Sequence, residues 1–152
     1  KSYAMTGGRI GFVAGPAELV SAMTKCQENF NACANAPGQY AGTVALAHPE
    51  LCEELRKVFE NRRRLLLDGL KGIKGIESND PKGAFYVFAD ISSFGLSSAD
   101  FCNRLLDEQK VVCIPGSAFG ACGEGFIRIA YTCSDSDLVE AVARIKRFCE
   151  SL

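Results

Sequence analysis

The sequence predicts an α/β protein: a strand and helices first, then a long connecting helix, then a small α/β unit. Three observations predict it. Short apolar or β-branched runs bounded by glycine and proline recur at "RIGFVAG", "AFYVFADI", "KVVCIPG" and "FIRIAYTC". Between them lie segments whose apolar residues return every three or four positions, the spacing of one helix face. One of these segments is longer than the rest, and the rhythm of the chain changes after it.

"RIGFVAG" (Arg9–Gly15) is apolar and framed by glycines, and is expected to be a buried strand. Pro16 follows at a helix start, where a missing N–H costs nothing. The helix "AELVSAMTKCQENFNACA" carries Leu19, Met23, Cys26 and Phe30 on one face. "NAPG" (Asn35–Gly38) breaks it, and "QYAGTVALA" predicts a short buried helix. "HPELCEELRKVFENRRRLLLDGLKG" predicts the long helix, with Leu51, Leu55, Val58, Phe59, Leu66 and Leu70 in register. Pro49 marks its first turn, and Gly72 and Gly75 lie beyond its end. Arg62–Arg64 read as a solvated face near Glu60 and Asp68 rather than a nucleic-acid patch.

Beyond it, "GIESND" predicts a short strand and "PKG" a turn. Ala84–Ile91 is aromatic and β-branched, a strand. Ser97 or Ser98 caps a helix with Phe101, Leu105 and Leu106 on its apolar face. "KVVCIPG" is a strand, "SAFGACGEG" a glycine-rich loop. "FIRIAYTC" is a strand with Phe126, Arg128 and Ala130 on one side and Ile127, Ile129 and Tyr131 on the other. Asp135 or Ser136 opens the last helix, whose core face holds Leu138, Val142, Ile145 and Phe148. The domain boundary is expected near His48. Residues 1–47 are too few to bury a core of their own. Residues 48–152 would form the small α/β domain.

Composition excludes several function classes. The chain has 152 residues and a net charge of −1, so no basic field gathers nucleic acid or anionic lipid. No apolar run reaches the roughly 18 residues a membrane span needs. The first residues lack an apolar segment with a cleavage site, so a cytosolic protein is expected. The eight cysteines include no C-x-x-C pair and sit largely among apolar neighbours. They are expected to be reduced and mostly buried, with no metal role. His48, the single histidine, reads as a helix-boundary residue, and Tyr3, Tyr40, Tyr86 and Tyr131 as packing residues. "PGSAFGACGEG" is not a P-loop, because no G-K-[ST] follows and a strand comes next.

Arg128 is the residue that asks for chemistry. An arginine inside an apolar strand needs a partner anion, and its planar fork matches a carboxylate. That anion is either an internal Asp or Glu or the carboxylate of a bound substrate. Lys1 and Arg9, taken alone, are exposed charges.

"KSYAMTGGRIG" resembles the lysine signature of the class I and II aminotransferases, the fold-type-I enzymes dependent on pyridoxal 5′-phosphate (PLP). Lys1, Ala4, Met5, Gly7, Arg9, Ile10 and Gly11 fill the pattern in order. "PKGAFYVFADIS", "VVCIPGSAFG" and "EGFIRIAY" resemble small-domain segments of the same family, so the likeness runs the length of the chain. It is closest to the aspartate-aminotransferase-like branch, with Gly8 where tryptophan is usual.

The resemblance implies a C-terminal small domain preceded by a strand and helices of the large PLP-binding domain. It implies transfer of an amino group between an L-amino acid and a 2-oxo acid, with PLP as cofactor and a homodimer as the full-length assembly. Lys1 would bond to the PLP aldehyde and then move the substrate's Cα proton, a task for a neutral amine. Arg9 would hold the cofactor phosphate and Arg128 the α-carboxylate. Phe119 would line the substrate pocket, and Asn35 and Gln39 would lie near the subunit interface. Relatives are much longer and hold the lysine deep within, so this chain is expected to be a C-terminal portion that is silent alone. A related PLP-dependent lyase and a non-catalytic α/β binding module are the alternatives.

Overall fold

The computed structural model describes residues Lys1–Leu152, which fall into two units, Lys1–Lys57 and Val58–Leu152. The division lies within the long helix predicted above.

In the first unit, the chain from Lys1 to Pro16 is irregular apart from a 3-10 turn at Thr6–Gly8. The expected strand at Arg9–Gly15 is absent: the segment is non-helical, unpaired backbone, with Phe12 78% and Val13 59% exposed. A strand exists only as part of a hydrogen-bonded ladder, and this segment joins none. Helix α1 (Ala17–Asn31) starts behind Pro16 and buries none of its residues. Helix α2 (Ala36–Leu46) is capped by Asn35, whose side chain accepts from the Gly38 N–H. It was expected to be buried, yet only Gly38 and Ala45 are. Its small, apolar residues suit a covered helix, but within the first unit nothing covers most of them. Helix α3 (Glu50–Lys71) follows as predicted.

The second unit has one core. The α3 residues Leu66, Leu67 and Leu70, with Ile73 and Ile76 just beyond, pack with the sheet and two further helices. The strands are β1 (Glu77–Ser78), β2 (Tyr86–Asp90), β3 (Ile114–Pro115) and β4 (Phe126–Ala130), all antiparallel in the order β1-β2-β4-β3. Strand alternation sends Val87, Ala89, Ile127 and Ile129 into the core. Helix α4 (Ser98–Gln109), capped by Ser97, contributes Phe101 and Leu105. Helix α5 (Asp135–Glu150), capped by Ser134, contributes Leu138, Ile145 and Phe148. Phe101 and Phe148 meet edge to face at 5.1 Å. Each fully buried Leu, Ile or Phe side chain contributes about 1.5–3 kcal/mol by leaving water.

Several expectations need correction here. β3 is two residues rather than the whole of "KVVCIPG": only Ile114 and Pro115 pair with β4, opposite Arg128 and Ile127, and residues 110–113 join no ladder. The glycine-rich loop is two 3-10 turns, Gly116–Phe119 and Ala121–Gly123. Of the three arginines read as solvated, only Arg64 is. Arg63 has a side chain 16% exposed, held by Glu60, Asp80 and the Pro81 carbonyl. Arg62 reaches Asp135 and the Thr132 carbonyl. All eight cysteines are free thiols, but only Cys102, Cys113 and Cys149 are buried, whereas Cys26, Cys33, Cys122 and Cys133 are exposed. His48 stands ahead of α3 as predicted, its Nδ1 2.8 Å from Glu50 Oε1.

Candidate active site

Two clusters of sequence-predicted residues can be built from the backbone upward, one in each unit. In the first, Lys1 is exposed and its carbonyl accepts from the Ala4 N–H. Ala4 and Arg9 both adopt left-handed backbone, at φ 53° and φ 49°. Such angles are uncommon outside glycine and cost about 1–2 kcal/mol per residue. Surrounding contacts hold this shape. Asn35 Nδ2 donates to the Gly8 carbonyl at 2.9 Å while its Oδ1 takes the Gly38 N–H at 2.7 Å. Gly38 is required at that point, since a Cβ there would sit 2.6 Å from Asn35 Oδ1 and 2.7 Å from Ile10 Cγ2. Asn35 thus ties the start of α2 to the turn preceding Arg9. The Arg9 side chain is exposed and makes one bond, Nη1 to the Thr6 carbonyl at 3.3 Å. Gln39 donates to the Ala34 carbonyl at 2.7 Å.

In the second unit the site is a sheet face. β2 and β4 pair in register, Phe88 opposite Arg128, with Ile114 on the other flank of Arg128. The residues turned away from the core are Tyr86, Phe88 and Asp90 on β2 and Phe126, Arg128 and Ala130 on β4, and Asp90 is taken up by the Ser92 N–H. The Arg128 guanidinium carbon lies 4.4 Å from the centre of the Tyr86 ring and 4.7 Å from that of Phe119. Phe88 stacks on Phe126 at 5.2 Å and meets Phe119 edge-on at 6.1 Å. An arginine between two aromatic faces gains about 0.5–2 kcal/mol depending on how dry the site is.

What the guanidinium lacks is an anion. The Arg128 Nε is buried without a hydrogen-bond partner. The arginines that do pair with carboxylates are Arg56, Arg62, Arg63, Arg64, Arg104, Arg144 and Arg147. A buried N–H without an acceptor costs about 1–3 kcal/mol, which an incoming carboxylate would relieve. Tyr86 had read as a packing residue. The signal for its role was in the alternation: Tyr86 and Phe88 share one face of β2, and the strand pairing sets that face beside Arg128. No group of His, Cys, Asp and Glu could hold a metal ion.

The sequence profile of the class I and II aminotransferases matches residues 1–145. The chain belongs to this family. It is 42% identical over 153 residues to an aspartate aminotransferase of Pyrococcus horikoshii, covering 99% of this chain and 39% of that relative. The crystal structure of an aromatic aminotransferase from Pyrococcus horikoshii superposes with a TM-score of 0.91 at 40% identity, covering 99% of this chain and 41% of that one. The aspartate aminotransferase of Rhizobium meliloti gives a TM-score of 0.88 at 38% identity, covering 99% and 40%. The chain is thus aspartate-aminotransferase-like and spans about two fifths of the length of the relatives it matches. The family implies PLP in the whole enzymes. No helix of the chain is long and apolar enough to cross a membrane.

Proposed function

We propose that this chain is the C-terminal part of a PLP-dependent aminotransferase that moves an amino group between an L-amino acid and a 2-oxo acid. On this reading residues 1–47 finish the large cofactor-binding domain, residues 48–152 form the small domain, and the whole protein is a cytosolic homodimer. The observation that carries the reading is the unpaired Arg128 guanidinium, held between Tyr86 and Phe119 with a buried N–H and no internal carboxylate.

The donor set suits PLP. Lys1 offers a primary amine, and Arg9 an exposed guanidinium with only one long internal bond. When bound, PLP supplies the electron sink that makes a substrate Cα–H acidic. The residues of this chain do the rest. Lys1 would hold the cofactor through its amine, and its Nζ would take the Cα proton. Arg9 binds the phosphate through charge-assisted bonds. Arg128 binds the α-carboxylate through its fork, while Tyr86 and Phe119 keep the guanidinium flat. Phe119 walls the pocket on the small-domain side.

The test is an exchange. The matching stretch of the Pyrococcus horikoshii aspartate aminotransferase is replaced by this chain, and amino transfer from aspartate to a 2-oxo acid is measured. The expected chimera is active, Lys1→Ala silences it, and Arg128→Leu raises KM for the amino acid about 10–100-fold. A folded chimera without turnover overturns the proposal. So does one that consumes the amino acid without needing an oxo-acid acceptor, which is lyase chemistry.

A further inference from the structure

Phe119 is 53% exposed and sits in a 3-10 turn of only four residues, yet it covers Arg128. What fixes it lies beneath. Ser98, the first residue of α4, is fully buried. Its N–H donates to Glu124 Oε1 at 2.6 Å, and its Oγ lies 3.0 Å from Glu124 Oε2 and 3.0 Å from Ser117 Oγ. The Ser117 N–H also points to Ser98 Oγ, at 3.4 Å. A carboxylate only accepts, so Ser98 gives its single hydroxyl proton to Glu124 and receives from Ser117. The chain of bonds runs Glu124–Ser98–Ser117, two residues short of Phe119. From the other side the two turns abut: a Cβ on Gly116 would lie 2.0 Å from the Gly123 carbonyl oxygen. Glu124 follows Gly123 directly.

We propose that Glu124 is a positioning residue, which through Ser98 and Ser117 holds the Gly116–Phe119 turn so that Phe119 covers Arg128. This deepens the reading of Arg128 as a carboxylate receptor and rests on it only for the functional consequence. Glu124 itself makes its bonds to Ser98. It acts by deciding how much of the guanidinium is open to solvent and how flat it lies for an incoming carboxylate.

The experiment uses the 152-residue chain. Phenylglyoxal modification of Arg128 is followed by peptide mass mapping, with and without 2-oxoglutarate. Glu124→Ala is expected to raise the rate at Arg128 about tenfold, the scale of one lost hydrogen bond to a charged group. It is also expected to raise the 2-oxoglutarate concentration needed for half protection several-fold. Glu124→Gln keeps an acceptor for the Ser98 N–H and a donor for Ser98 Oγ, and should restore nearly the parent rate. Asp100→Ala removes the other carboxylate at this helix start, which Ser97 Oγ reaches at 2.7 Å. It should lower helix stability while leaving the Arg128 rate unchanged. If Glu124→Ala does not fold, Ser117→Ala decides, with a smaller rise expected. An unchanged rate in whichever variant decides overturns the proposal, as does an equal rise in Asp100→Ala. Failure of 2-oxoglutarate to protect the parent chain, with Glu124→Ala still accelerating modification, leaves the positioning role standing and removes the carboxylate reading.

Discussion

Replacing Gly116 by alanine should cost the second unit much of its stability. A Cβ at that position would meet the Gly123 carbonyl oxygen at 2.0 Å and the Phe126 carbonyl oxygen at 2.7 Å. Both obstacles are backbone, so no rotamer change relieves the collision, and the Gly116 turn must move by about 1 Å from the Gly123 turn and the start of β4 to reach tolerable contact. Phe126 belongs to β4, whose ladder carries Arg128, so the displacement cannot stay in the loop. Overpacking of this kind costs about 1–3 kcal/mol and occasionally more; with two backbone obstacles, about 3 kcal/mol is expected. For a unit of this size that lowers Tm by roughly 10–20 °C. Circular dichroism melts of the chain and of Gly116→Ala measure it. Gly83→Ala is the control, since nothing lies within 4 Å of its Cβ position, and it should melt within the small range typical of surface changes. A Gly116→Ala chain melting with the parent would refute the close approach of the two turns.

Two further predictions follow from the titrating groups. Burial pushes the thiols of Cys102 and Cys149 up to about 11 and that of Cys113 up to about 12. At pH 8 iodoacetamide should therefore label Cys26, Cys33, Cys122 and Cys133 quickly and these three only on unfolding, as read by mass spectrometry. Glu124 is held below the usual carboxylate range, first by the Ser98 N–H and then by the Ser98 hydroxyl. Its ionised form is thus favoured by folding, so the stability it gives is present above the unfolded pKa and lost as pH falls through the lower folded one. Glu124→Gln should flatten part of the acid limb of urea midpoints measured against pH, leaving the part due to Glu60, Glu140 and Asp80.

The helices α3, α4 and α5 and the strands β2 and β4 were legible because their information is local: periodicity, caps and alternation lie within each segment. Arg9–Gly15 failed for the complementary reason. An apolar run states that residues favour cover, but a strand is defined by its neighbour, and periodicity cannot name one. β3 shrank for the same reason: of the apolar run only Ile114 and Pro115 find partners on β4. At the site, Arg128 stood out as a charge inside an apolar strand, whereas Lys1 and Arg9 stood out only through the family resemblance of their segment. Their supports did not. Asn35 reaches Gly8 across 27 positions and Glu124 reaches Ser98 across 26, contacts that appear only once the chain has folded.

The central claim is that Arg128 waits for a carboxylate from outside the chain. The most direct measurement is the 15N–1H resonance of its Nε during titration of the chain with 2-oxoglutarate. The account predicts a progressive downfield proton shift and slowed exchange with water, both absent in Arg128→Lys. A resonance that ignores the titration, or that already shows a strongly bonded N–H before any ligand is added, would contradict it.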